Sequence, residues 1–215
     1  MSSRRVGFRK ILPVAVAVPL FGISYGVLAR AADMGVAAPI VMSATTFAGS
    51  AQFAVASILE AEGGAVAAIV AALLLNARYA AIGISVASVF RGSRLRRLFE
   101  AQLVVDESWA VSARGDGRFD RGILIGAGLT LYVLWVLGTV LGVVGGGFLG
   151  DPASLGLDAA FPALFLALLV GQIRDRRGVV SALAGAGIAL VTLPFTPPGV
   201  PIVVATLGCL AGLRR

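Results

Sequence analysis

The chain has 215 residues, 58% of them hydrophobic and only 13% charged, with a mean hydropathy of +0.95. Soluble domains carry about 25% charged residues, so this composition argues against a soluble globular fold. The formal net charge of +7 sits in short clusters between apolar runs, without aromatic interleaving, a pattern of bilayer orientation signals and not of a nucleic-acid surface.

The composition also removes several chemistries. There is no histidine, and the one cysteine is Cys209. An intrachain disulfide, a Cys/His metal site and Ser-His-Asp catalysis are therefore excluded. No cofactor motif is visible. Gly22-Ile23-Ser24-Tyr25-Gly26 has the G-x-S-x-G spacing of a nucleophile elbow, but it lies in an apolar span and not at a strand-to-helix turn.

The fold class is all-α: a polytopic membrane helix bundle forming one domain over 1–215. A crossing needs about 20 apolar residues. The first residues look like a secretion signal, with Arg4, Arg5, Arg9 and Lys10 before an apolar run from Ile11. The hydrophobic segments that follow identify it as an uncleaved first span. Apolar segments run over 11–29, 34–59, 63–90, 122–149, 159–173, 178–193 and 199–213, giving six or seven elements. Between them, 91–121 is the longest candidate for anything outside the bilayer. Its stretch 98–109 has helical spacing and reads as an amphipathic or partly inserted helix on the cytoplasmic side.

Loop charge discriminates between topologies, because cytoplasmic loops are enriched in Lys and Arg. If all seven segments cross with the N-terminus inside, 4 loop cations face the cytoplasm and 13 face out; with the N-terminus outside the split reverses. If 34–59 instead enters and returns on one side, 16 face in and 1 faces out, with both termini cytoplasmic. The middle of 34–59 is polar and small, including Gly49, Ser50 and Gln52 between Phe47 and Phe53. That suits a re-entrant or broken helix, whose freed backbone must line a protein-walled or wet cavity. The alternative is a continuous helix using small residues for close packing.

Arg78, beside Asn76 and Tyr79, falls midway through 63–90. A charge at that depth costs at least ~2.5–3.5 kcal/mol on insertion scales, so it needs a counter-charge or a ligand. An ion pair with Asp106 or Glu107 and a direct substrate role both remain open. Asp106 and Glu107 are adjacent and point to different helix faces, so at most one is expected to face a cavity. Asp158 precedes Ala159-Ala160-Phe161-Pro162 and reads first as a helix cap, with an ion-pair or coupling role as the alternative. Ridges at Gly22/Gly26, Gly122/Gly126 and Gly138/Gly142/Gly146 allow close helix approach, inside the chain or against a partner subunit.

Five stretches, in order, resemble one known family. They are Gly22–Ala29; Met42-Ser43 with Phe47-Ala48-Gly49-Ser50-Ala51-Gln52-Phe53; Asn76-Ala77-Arg78-Tyr79; Asp106-Glu107-Ser108; and Leu155–Asp158 with Phe161–Phe165. Together they resemble the AzlC family of branched-chain amino acid exporters, from about Phe8 to the C-terminus. The resemblance implies efflux of leucine, isoleucine, valine and sometimes methionine across the bacterial inner membrane. It also implies a small hydrophobic partner subunit of the AzlD type and drive by the proton gradient. Many members carry histidine where this chain has Tyr79, so any proton relay here must use carboxylates or water. A zwitterionic substrate needs an anion site, a cation site and an apolar pocket. Arg78, or helix ends around Gly49 and Ser50, can take its carboxylate. Asp106, Glu107 or unwound carbonyls can take its ammonium, and Phe47, Phe53 and Trp135 can wall the pocket. Asn76 and Gln52 are further binding candidates. A channel-like pore, or a structural subunit with the transport path elsewhere, are the competing readings.

Overall fold

In a computed structural model, residues 11, 15–115, 117–146, 166, 169–170, 173, 175–197 and 199–213 are described. Asp158 and almost all of the 159–173 segment lie outside these residues. The architecture is helical, as the composition requires. Helices α1 (Ala17–Ala31), α2 (Ala37–Thr45), α3 (Gly49–Glu60), α4 (Ala65–Asn76) and α5 (Arg78–Val86) lead to α6 (Arg94–Ala101) and α7 (Asp106–Ser112). A two-stranded hairpin, β1 (Ala113–Gly115) with β2 (Arg118–Phe119), precedes the long α8 (Arg121–Gly145). Then come α9 (Arg176–Thr192) and α10 (Val200–Ala205), the latter continued by a 3₁₀ stretch, Thr206–Leu213.

Among the described residues three helical stretches are long and apolar enough to cross a membrane: Ala65–Val89, Arg121–Gly145 and Arg176–Phe195. Their outer faces carry exposed apolar side chains such as Val66, Leu73, Leu141 and Leu190. In water such faces would drive association; in lipid they meet a solvent as apolar as themselves. α9 packs against α10 and the 3₁₀ stretch that follows it, where Gly208 is tight against Gly185, and Gly199, just before α10, sits beside Ala67 of α4.

The core lies between α1 and α8. A Cβ on Gly22 would sit 2.7 Å from the Trp135 carbonyl oxygen, and one on Gly26 2.6 Å from the Val143 amide nitrogen. From the other side Gly138 faces Pro19 and Gly22, and Gly142 faces Ile23. Two of the three glycine ridges therefore interlock with each other inside the chain. The same closeness buries Tyr25, which stacks on Trp135 (centroids 6.2 Å apart, planes at 19°) and meets the edge of Phe53 at 5.7 Å.

The segment 34–59 is broken. α2 stops at Thr45, Phe47 adopts a left-handed φ of +42°, and α3 starts at Gly49. A bulky residue in that region costs on the order of 1–3 kcal/mol, and its surroundings hold it there: the Phe47 ring meets the edge of Tyr132 at 5.2 Å. Two freed carbonyls at the end of α2 find side-chain donors: Tyr132 Oη donates to Ala44 O (2.9 Å) and Gln102 Nε2 to Thr45 O (2.7 Å). At 1.5 Å per residue, neither half reaches across about 30 Å of hydrocarbon.

Two expectations change. The 63–90 segment is also interrupted, at Ala77, where Ala77 N–H reaches Leu74 O and Ala80 N–H reaches Ala77 O. The stretch 98–109 is two helices and not one. Its chain turns at Gln102–Val105 because Gln102 is pulled onto the α2 end, while Ser108 Oγ accepts from Val105 N–H and so starts α7.

α6 is tied to α8 by a buried carboxylate. Glu100 pairs with Arg96 (3.0 Å) and with Arg121. Burial pushes the Glu100 carboxyl up, but hydrogen bonds from Arg121 and Arg96 outweigh it and hold it below its ordinary 4.5. A lowered folded-state value means that this contribution is full above 4.5 and fades as pH falls through the folded value. Glu100→Gln should lower stability near neutral pH by about 1–2 kcal/mol. Thermal melts in detergent should then show wild type converging on the variant below pH 4.5.

Candidate functional site

Both interruptions open onto one cavity of about 150 Å³. It is lined by Phe47, Gly49, Ser50 and Phe53 from the α2–α3 break and α3, and by Arg78 and Tyr79 from α5. Asp106 and Glu107 of α7 and Trp135 of α8 also line it. Val18, Phe21, Val105 and Leu131 add apolar wall. Drug-sized pockets run to about 300–1,000 Å³, so this one suits a small molecule. Arg78 lies near the middle of Ala65–Val89 and Trp135 near the middle of Arg121–Gly145, which places the cavity at mid-span.

Arg78 Nη2 lies 2.9 Å from Asp106 Oδ2 and donates to Ser50 Oγ at 2.9 Å. Its guanidinium carbon sits 5.2 Å from the Tyr79 ring centroid. The pair is not sealed: the Arg78 and Asp106 side chains keep 36% and 33% exposure. Arg78 Nε is buried without a hydrogen-bond partner among the described residues. Arg78 therefore retains donor capacity toward an incoming anion. The first turn of α3 adds backbone N–H groups that have no intrahelical acceptor, at the positive end of the helix dipole.

Asp106 and Glu107 both line the cavity, against the expectation of one at most. They occupy the first turn of α7, and the end of that helix, not its side, meets the cavity. The 91–121 connection thus folds back to mid-span.

Gln52 is fully buried behind the wall. Its Oε1 accepts from Trp135 Nε1 (3.0 Å) and from Ala48 N–H (3.3 Å), and its Nε2 donates to Ser43 Oγ (2.7 Å). Thr139 Oγ1 donates to Trp135 O (3.0 Å), so its 2.8 Å bond with Ser43 is donated by Ser43. One directed chain of hydrogen bonds thus fixes the broken segment and the Trp135 indole on α8. Gln52 positions the wall without touching the cavity. Asn76 also lies off the cavity lining; its Oδ1 is buried without a partner among the described residues. Among those residues no group of His, Cys, Asp or Glu is placed to hold a metal.

Sequence reasoning missed Tyr79 as a lining residue, although its place next to Arg78 was the available signal. It also missed Val18 and Phe21, which nothing in the α1 sequence distinguishes from lipid-facing neighbours.

Comparison with known proteins bears on this geometry. The family described as "AzlC protein" matches residues 13–149. The branched-chain amino acid transport protein AzlC of Bacillus subtilis is 28% identical over 98% of this chain and 85% of its own length. An uncharacterized membrane protein of Haemophilus influenzae is 30% identical over 85% of this chain and 76% of its own. The inner membrane protein YgaZ of Escherichia coli is 27% identical over 96% and 88%. No solved structure matches. The matched stretch contains both broken segments and every described residue of the cavity wall, and the chain belongs to the AzlC family.

Proposed function

We propose that this protein exports branched-chain amino acids across the bacterial inner membrane, as the large subunit of a transporter completed by a small AzlD-type membrane protein. The observation that carries the reading is the Arg78–Asp106 pair, one-third exposed to a mid-span cavity with aromatic walls. A branched-chain amino acid is a small zwitterion with an apolar side chain. Its carboxylate replaces Asp106 on Arg78 and meets the α3 N-terminus. Its ammonium takes the released Asp106, with Glu107 beside it, and its side chain lies against Phe47, Phe53 and Trp135. Charges at this depth are costly when unpaired, so the internal pair stands in for the substrate when the cavity is empty. The broken 34–59 segment enters and leaves on one side, both termini are cytoplasmic, and the protein's loop cations support that orientation.

The test is export from leucine-, isoleucine- or valine-loaded cells expressing the chain with and without the small subunit. Saturable export selective for these amino acids, dependent on both subunits, is expected. Flux that rises linearly with concentration and does not discriminate among amino acids would instead mark a pore.

A further inference from the structure

A second hollow, of about 650 Å³, opens where two spans end. Arg91, Arg114, Arg118 and Arg121 line it, with Phe119 and Asp120 between them. Arg91 comes two residues after the end of Ala65–Val89, and Arg121 is the first residue of Arg121–Gly145. The hollow therefore sits at the boundary between hydrocarbon and headgroups. Arg114 is paired with Asp120, and Arg121 with Glu100. Arg91 and Arg118 are exposed and have no carboxylate partner among the described residues.

Next to this basic hollow is an apolar stripe. α6 begins at the Ser93 cap and is tied to Arg121 through Glu100. Its Leu95, Leu98 and Phe99, at i, i+3 and i+4, are 64%, 69% and 68% exposed, and the neighbouring Arg94 and Arg97 are exposed as well. Such a helix lies in the membrane interface with its apolar side among acyl chains. A free phosphate would need only the arginines. A ligand that is anionic at one end and apolar at the other uses both features.

We propose that the Arg91/Arg118 hollow and the Leu95/Leu98/Phe99 stripe of α6 together bind an anionic phospholipid, its phosphate in the hollow and its acyl chains along the helix. Arginines at such a site attract anionic headgroups and not zwitterionic ones of no net charge. This site is separate from the cavity at Arg78, and the proposal holds whatever the cavity transports.

The test titrates the purified full chain, in neutral detergent, with phosphatidylglycerol or phosphatidylcholine and counts bound lipid by native mass spectrometry. Phosphatidylglycerol should be retained in preference. The double variant R91A/R118A should weaken phosphatidylglycerol by roughly five-fold per arginine removed, with phosphatidylcholine binding and the lipid-free melting midpoint unchanged. R91K/R118K should keep the preference, which separates charge from damage to the fold. L95S/F99S should also weaken phosphatidylglycerol. Equal retention of the two lipids by wild type, or an unchanged preference in R91A/R118A, overturns the proposal. So does full displacement by inorganic phosphate together with no effect of L95S/F99S, which would assign the hollow to a free anion.

Discussion

Arg78→Ala is expected to cut amino acid export strongly without preventing membrane insertion. The pair is one-third exposed, so losing the charged donor that receives the substrate carboxylate costs about 1.5–3 kcal/mol, a loss of roughly ten-fold to a hundred-fold in binding. The substitution also leaves Asp106 facing the cavity without its cation and strips Ser50 of its donor. A structural ion pair would predict a similar loss, so the decisive variant is the exchange Arg78→Asp with Asp106→Arg. That double variant restores charge balance at one site. If the pair serves packing, abundance and export both recover. If Arg78 binds the substrate carboxylate beside the α3 N-terminus, abundance recovers and export does not, because an aspartate then faces the carboxylate. Export assays normalised to protein in the membrane separate the two outcomes.

The second large effect is steric. Gly26→Ala adds one methyl where the Val143 amide nitrogen lies 2.6 Å away. Overpacking of this kind costs about 1–3 kcal/mol, more than the ~1 kcal/mol that alanine gains over glycine in a helix. Because the obstacles are backbone atoms of α8, no rotamer change relieves them, and α1 must move off α8. That displaces Tyr25 from Trp135, and with it the rear of the cavity. Gly26→Leu should leave little folded protein. Gly83→Ala is the control, since nothing lies within 4 Å of the Cβ position there. Thermal midpoints in one detergent should fall for Gly26→Ala and hold or rise for Gly83→Ala. Equal midpoints would contradict the interlocked packing of α1 and α8.

The sequence carried much of this because membrane chemistry narrows the choices. An arginine at mid-span cannot be idle, and a Gly-Ser-Gln run inside an apolar segment weakens a straight helix. Those two features marked Arg78 and the Gly49–Ser50 break as candidates, and the family resemblance offered them as alternative carboxylate sites. What was illegible depended on tertiary geometry. The break at Ala77 leaves no mark, since Asn76 and Arg78 flank an alanine that favours helix. The joint exposure of Asp106 and Glu107 depends on which end of α7 faces inward, which periodicity along a helix does not encode. Gln52 has the residue type of a ligand-binding side chain, yet Trp135, Ala48 and Ser43 use its amide from three directions. The glycine ridges fixed that a close approach exists, but not that α1 and α8 meet each other.

In the proposed transport cycle the cavity reads both ends of a zwitterion. Calorimetric titration of the purified two-subunit protein with leucine tests it most directly, set beside 4-methylpentanoate, which lacks the ammonium, and isopentylamine, which lacks the carboxylate. Saturable leucine binding is expected, with at least tenfold weaker binding of each truncated analogue and leucine affinity lost in Arg78→Ala. Leucine bound by Arg78→Ala as tightly as by wild type would contradict it.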